Sequence, residues 1–372
     1  MTTPMGSTLR QTALHERHRQ AGAKLVPFAG WDMPLHYGSQ LDEHRRVREH
    51  AGVFDVSHMT VVDITGPHAL SFLRRLVAND PQRLVHAGQA MYCCMLNDSG
   101  GIIDDLIIYF LSEGRYRTVV NAATRERDLE WMQRQAADFD LRIRERTDAA
   151  MLAVQGPRAE TLLGECVDGL TARRLAEMKP FHGMELGDWL VARTGYTGED
   201  GFEIILPARQ AGDLWDHLLE AEVVPCGLGA RDSLRLEAGL CLYGQDMDEH
   251  TSPLATSLGW TVAWTPEERD FIGRQALAEE RRRGPEETLL GLVLHSRGML
   301  RRDVVIHTAD GGQGRVTSGG FSPTLGRSIA LARLPAGTQG TATALLRGGE
   351  TSVQVVKPPF VRQGRILIDA GL

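Results

Sequence analysis

Apolar and aromatic side chains fill the run from Ile102 to Phe110 except at two adjacent acids, Asp104 and Asp105. The polar, glycine-rich Asn97-Asp98-Ser99-Gly100-Gly101 before them predicts a turn, and the run after it a strand whose side chains alternate between two faces. Asp105 then accompanies Ile103, Ile107 and Tyr109, and Asp104 accompanies Ile102, Leu106, Ile108 and Phe110. Apolar neighbours on both faces imply a strand covered on both sides, so at least one acid is largely buried. A buried carboxylate is costly unless it is paired, hydrogen-bonded or protonated. The position serves either a site or a structural acid satisfied by backbone N–H groups or an arginine.

The same kind of patterning predicts two related halves and a different C-terminal part. Val61 to Leu70 and Met151 to Glu160 share an outline: a β-rich run, Gly-Pro, then an apolar helical pattern. Proline in the first helical turn with glycine before it makes a sharp strand-to-helix corner. Glu126 to Ala137, Ala211 to Glu222 and Arg231 to Glu237 have helical spacing. Arg281-Arg282-Arg283-Gly284-Pro285-Glu286-Glu287 reads as a solvated connector. Beyond it come short β-rich runs, Leu289 to Leu294, Val304 to His307, Ile329 to Leu334, Thr341 to Leu346 and Val353 to Val356, in the rhythm of a small barrel or sandwich. The fold class is α+β: two α/β-layer domains, at 1–150 and 151–283 with allowance for interleaving, and a C-terminal β-barrel domain at 284–372.

Length and charge narrow the function. A chain of 372 residues forms two or three domains with cores large enough to need no disulfide or metal staple. The 41 basic and 48 acidic residues, net −7, are spread along the chain, which argues against nucleic acid as the main partner. Lys24, Lys179 and Lys357 are the only lysines, so a Schiff-base or phosphate-loop lysine has few candidates. Five cysteines without a CxxC pair suit a reducing compartment and a metal-free protein. No apolar run approaches the roughly 18 residues of a membrane span, and Met1 to Gln20 lacks the apolar core of a signal peptide. The expected location is cytoplasmic, away from any membrane.

The usual catalytic signatures, HExxH, Walker A, GxSxG and GxGxxG, are absent. His15 with His18, and His44 with His50, have spacings a metal could use, but read as solvated helix histidines because no cysteine or acid cluster accompanies them. Two polar clusters remain. Thr194-Gly195-Tyr196-Thr197-Gly198-Glu199-Asp200-Gly201-Phe202-Glu203 is a hairpin-like turn with an aromatic and an acid, Glu203, at the mouth of a strand. Arg231-Asp232-Ser233 stands where a helix is predicted to begin, with Asp232 its candidate cap. An Arg, Glu and Tyr facing a buried Asp suit a flat heterocycle with amide-like donors and a carboxylated tail.

Taken together these segments resemble the aminomethyltransferase family, the T proteins of the glycine cleavage system, from about Leu25 to Arg362. The resemblance is carried by Phe28-Ala29-Gly30-Trp31-Asp32-Met33-Pro34, Gly52-Val53-Phe54-Asp55-Val56-Ser57-His58-Met59, Gly100-Gly101-Ile102-Ile103-Asp104-Asp105 and Arg193-Thr194-Gly195-Tyr196-Thr197-Gly198-Glu199-Asp200-Gly201. It continues through Gly227-Leu228-Gly229-Ala230-Arg231-Asp232, Tyr243-Gly244-Gln245-Asp246-Met247-Asp248 and Thr317-Ser318-Gly319-Gly320-Phe321-Ser322-Pro323-Thr324-Leu325-Gly326. It implies a three-domain, cloverleaf-like arrangement around a channel for tetrahydrofolate. The implied reaction takes an aminomethyl group from the lipoyl arm of H protein, releases ammonia and forms 5,10-methylenetetrahydrofolate. The family's catalytic acid maps to Asp105, and its pterin contacts to Met59, Tyr92, Asp105, Val119, Asn121, Tyr196 and Glu203. Arg231 maps to a folate-side contact and Asp232 to the opening for the lipoyl arm. The contact to the folate's glutamate tail has only Arg362 or Arg365 as candidates.

Two other functions share these features. One is a related folate-dependent demethylase, which would favour a fused flavin module that this chain lacks. The other is a non-catalytic folate-binding scaffold, whose relatives carry a lysine-glycine motif centred on a cysteine. Here Leu240 precedes Cys241 and no such lysine is present, and Asp105 is retained.

Overall fold

A computed structural model describes residues 8–369; residues 1–7, part of the stretch read above for a leader, lie outside the described residues. Two sheets and a barrel make up the molecule. The first sheet has five antiparallel strands in the order Ala90–Leu96, Ile102–Ser112, Arg115–Val120, Thr60–Thr65, Arg142–Glu145. The second has six, in the order Gly183–Leu186, Trp189–Ala192, Gly201–Pro207, Ala149–Gln155, Gly52–Asp55, Val224–Pro225. Only its last pair is parallel.

The Gly-Pro repeat marks a duplicated topology. Each half runs from a strand into a helix (Ala69–Leu76, or Ala159–Glu165 with a further helix, Gly169–Glu177, after it), then three antiparallel strands, a longer helix (Arg125–Gln135 or Ala208–Glu220) and a last strand. Gly52–Asp55, from the first part of the chain, wedges into the second sheet between Ala149–Gln155 and Val224–Pro225. At the corners Gly66 and Gly156 take φ of +140° and +133°. A Cβ on Gly156 would lie 2.4 Å from the His50 carbonyl oxygen, so that turn admits no side chain. Pro67 and Pro157 precede the helix caps His68 and Arg158 instead of standing in the first helical turn.

Apolar alternation decides the layering. Phe54, Val61, Tyr109, Val119, Met151, Ala153, Leu190 and Ile205, from both sheets, form one core between them. The outer face of the first sheet packs under Ala69–Leu76 and Arg125–Gln135 through Phe72, Leu76, Leu106, Ile108 and Met132. Trp215, Leu214 and Leu218 of Ala208–Glu220 cover the outer face of the second. The closed barrel is built of Glu287–Leu294, Arg327–Pro335, Gln313–Ser322, Val305–Thr308, Thr341–Leu346 and Gly349–Val356. Gln313–Ser322 was not among the expected strands, because its glycines and serines conceal the alternation and a bulge interrupts it between Val316 and Ser318. The expected connector is in part the last turn of a helix, Arg274–Arg283.

Two of the histidines read as solvated are fully buried. His18 Nε2 lies 2.9 Å from Asp55 and Nδ1 2.8 Å from the Tyr37 hydroxyl. His44 lies 3.2 Å from Glu237, on the helix Leu228–Glu237. Glu237 also accepts from Arg48 at 2.8 Å, Ser322 at 2.5 Å and the Thr324 N–H at 3.0 Å, which joins that helix, the helix Gln40–Glu49 and the barrel. Burial alone would push the Glu237 carboxyl up, but the His44 imidazole, the Arg48 guanidinium and the Ser322 hydroxyl together hold it down to about 2.

Candidate active site

Asp105 stands near the start of Ile102–Ser112, on the face that looks into the core between the sheets. A bulge at Ile103, where Met95 pairs with Asp104 but Leu96 with Ile102, resets the alternation. Ile103 consequently packs on the helix side with Leu106 and Ile108, not beside Asp105 as expected, and Ile102 packs toward the barrel seam. From Asp104 onward the expected alternation holds: Ile107 and Tyr109 share the Asp105 face, Leu106 and Ile108 the Asp104 face.

Register supplies the partners of Asp105. Tyr92, on the neighbouring strand and two residues from Asp105's own partner Cys94, donates its hydroxyl to Asp105 Oδ2 at 2.9 Å. On the other side Ile107 pairs with Val119, which brings Asn121, just past the end of Arg115–Val120, level with Asp105. Its Nδ2 donates to Asp105 Oδ1 at 2.9 Å. Burial and the charge of Asp104 push the Asp105 carboxyl up to about 7, against the pull of the Tyr92 and Asn121 donors. Asp104 is fully buried and accepts from the Asn121 backbone N–H and Nδ2, each at 2.9 Å.

The second sheet contributes from the opposite side. Glu203 pairs with Ala192 and Ala153 and points with Ile205 toward the inter-sheet core. The Thr194 hydroxyl donates to it at 2.5 Å, and burial raises its proton affinity against the opposing influence of Thr194 and Arg231. The Arg231 guanidinium lies 4.7 Å from the centre of the Tyr196 ring, a cation–π contact, and its Nη1 is buried without a hydrogen-bond partner. Tyr196 donates its hydroxyl to the Cys241 carbonyl and feels the charges of both Asp105 and Arg231, so the two halves meet there. Val119 is buried opposite Val61, and Met59 is half-buried against the same core.

Asp232 does not cap its helix. The helix is Leu228–Glu237 with Gly227 at the cap, one turn earlier than the spacing suggested, and Asp232 is a mid-helix residue, 61% exposed, paired with Arg235 at 2.8 Å. Arg362 and Arg365 are exposed cross-strand partners in a short hairpin, which rests on the Tyr196 turn through Gln363 N to the Gly198 carbonyl at 3.0 Å. Two residues were missed. Trp260, 66% exposed, stacks on Tyr92 at 5.9 Å. His58, beside Met59 in a quoted motif, is buried with Nδ1 unpartnered and is held down to about 4 by burial and Arg231. Nothing local to Trp260 distinguishes it from any exposed aromatic. Among the described residues no three metal-ligating side chains converge.

Comparison with known proteins places the chain by family and fold. Residues 14–266 match the GCVT N-terminal domain, and residues 288–362 the glycine cleavage T-protein C-terminal barrel domain. An aminomethyltransferase of Pseudomonas syringae pv. tomato is 53% identical over 96% of this chain and 99% of its own. One from Methylococcus capsulatus is 54% identical over 97% and 99%. The crystal structure of the glycine cleavage system aminomethyltransferase T from Bartonella henselae superposes with a TM-score of 0.90 at 38% identity, covering 96% of this chain and all of that one.

Proposed function

The chain belongs to the glycine cleavage T-protein family, and from that premise we propose how its residues carry out aminomethyl transfer. The acceptor is tetrahydrofolate and the donor the aminomethyl group on the lipoyl arm of H protein; the products are ammonia and 5,10-methylenetetrahydrofolate. The pterin lies between the sheets, against Met59, Val119 and Tyr196, with Glu203 accepting from its ring N–H groups and Arg231 on its folate side. The lipoyl arm approaches past the exposed Asp232, and Arg362 or Arg365 meets the glutamate tail.

Asp105 orients the nitrogens that exchange on the transferred carbon, and its proton affinity near neutrality lets it hold or release a proton at working pH. Positioning supplies much of the rate, and an enclosed cleft protects an iminium-like intermediate from water. The observation that carries this reading is the buried Asp105 carboxyl on the inner face, held by Tyr92 and Asn121 and opposed by Glu203 and Arg231. We place the enzyme in the cytoplasm, where its five free thiols stay reduced. Among the described residues no helix is long and apolar enough to cross a membrane.

The test is Asp105→Asn in an assay reconstituted with lipoylated H protein and tetrahydrofolate. Transfer should fall by roughly 10²–10⁴ while tetrahydrofolate still binds by calorimetry. An Asn variant that transfers at the parental rate removes Asp105 from the chemistry.

A further inference from the structure

A second carboxyl pair lies behind the reactive face, on the helix-covered side of the same sheet. Asp104 and Asp128 are both fully buried, Asp128 on the helix Arg125–Gln135 beside Met132. Asp104 takes two donors from Asn121. Among the described residues neither carboxylate oxygen of Asp128 meets a donor. It faces Asp104 and the Thr124 hydroxyl, but that hydroxyl is spent on the Asn121 carbonyl at 3.0 Å. Arg127 sends Nη2 to the Ile103 carbonyl and the Tyr243 hydroxyl, and Nη1 to Glu249 at 3.3 Å. Two neighbouring carboxyls in apolar surroundings do not both ionise. One proton between them supplies the O–H that Asp128 otherwise lacks.

Asn121 connects this pair to the reactive face. Its Nδ2 lies 2.9 Å from Asp104 Oδ1 and 2.9 Å from Asp105 Oδ1, one amide hydrogen for each. A flipped amide would set its oxygen against two carboxylates, so the network fixes the orientation and leaves Asn121 Oδ1 to accept from a ligand.

We propose that Asp104 and Asp128 are positioning residues for aminomethyl transfer, holding one proton between them and fixing the Asp105 carboxyl through the Asn121 amide. The proposal rests on Asp105 being the reacting acid. The pair carries one negative charge, divided between a carboxyl next to Asp105 and one on the covering helix. Arg127 and Tyr243 from the helix and loop side, and Cys94 and Asp105 from the sheet, are the titratable groups that sense it. In keeping with a shared proton, burial and the charge of Asp128 push Asp104 up, and burial raises Asp128 to about 6.

The two members predict opposite shifts. Asp128→Asn confines the charge to Asp104, beside Asp105, and should move the Asp105 inflection in the pH profile of kcat upward by about half a unit. Asp104→Asn moves the charge to Asp128 and should lower that inflection. It also removes an acceptor from Asn121, so kcat falls by about tenfold or more. A merely structural role would lower Tm in both variants and leave the inflection in place; that result, or shifts of the same sign, overturns the proposal. Should Asp104→Asn not fold, the upward shift in Asp128→Asn decides alone. Asp105→Asn separates the two ideas: if it keeps both rate and inflection, the role of Asp105 fails. If it loses both while the other variants leave the inflection unmoved, only the positioning role fails.

Discussion

Replacing Tyr92 with Phe removes one oxygen from the site and tests how the acid is tuned. The hydroxyl donates to Asp105 Oδ2 at 2.9 Å, whereas the ring stacks on Trp260 and survives the change. A hydrogen bond to a charged group contributes about 1.5–3 kcal/mol, and one pKa unit corresponds to about 1.4 kcal/mol. The donor favours the ionised carboxylate, so its loss should raise Asp105 from about 7 by ~1–2 units. Asn121 still holds the other oxygen, which favours the lower end of that range. The assay is the rate of aminomethyl transfer followed from about pH 5 to pH 10, and the inflection moves up whichever protonation state is active. Stability gives a second readout. Folded Asp105 already binds its proton more tightly than the unfolded value of 3.8, so its contribution is full below that pH and is lost as pH rises through about 7. Tyr92→Phe deepens that loss on the alkaline side only: parent and variant should melt alike near pH 4 and diverge above neutrality. An inflection that stays put or moves down would show that the Tyr92 hydroxyl does not tune Asp105.

Glu237→Gln should destabilise the protein by about 3 kcal/mol at pH 7, because it leaves buried Arg48 and His44 without their shared carboxylate. Its carboxyl is held down, so the stabilisation is complete above 4.5 and fades as pH falls toward about 2; urea midpoints of parent and variant should converge over that window, and a constant gap would refute the assignment. Gly156→Ala places a methyl 2.4 Å from the His50 carbonyl oxygen at φ +133° and should cost more than about 2 kcal/mol. Gly244→Ala, with φ +80° and open space around it, should cost only the backbone strain of about 1 kcal/mol. Equal losses of Tm in these two alanine variants would mean that crowding at the corner is not what requires glycine.

How much could be read beforehand depended on whether partners are close in sequence. The paired acids could be placed from alternation alone, and so could most barrel strands and the long helices, because apolar period is a local signal. The bulge at Ile103 could not, since it exists only in the pairing with Met95 and Leu96. His44 was misread for the same reason: its partners Ser233 and Glu237 lie about 190 residues away, and histidine spacing carries no trace of them. The helix at Leu228 was begun too late because Gly227 and Gly229 are weak helix formers and hid its first turn. Tyr92 and Asn121 came from the resemblance; in physical terms they reach Asp105 only through the register of three strands.

The strand Gly52–Asp55 sets the order in which the molecule can be completed. All four of its residues are buried, yet the strands that flank it, Ala149–Gln155 and Val224–Pro225, are made much later. At about 5–20 residues per second, a growing chain carries this strand with at least one side unpaired for roughly 10–30 s after it is synthesised. Met59 lies four residues beyond it, so the pocket wall proposed at Met59 cannot close until Pro225, about three-fifths of the 372-residue polypeptide, has been made. A nascent chain stalled before Val224 would present an apolar ribbon with a free edge, a target for chaperones or for pairing with another chain.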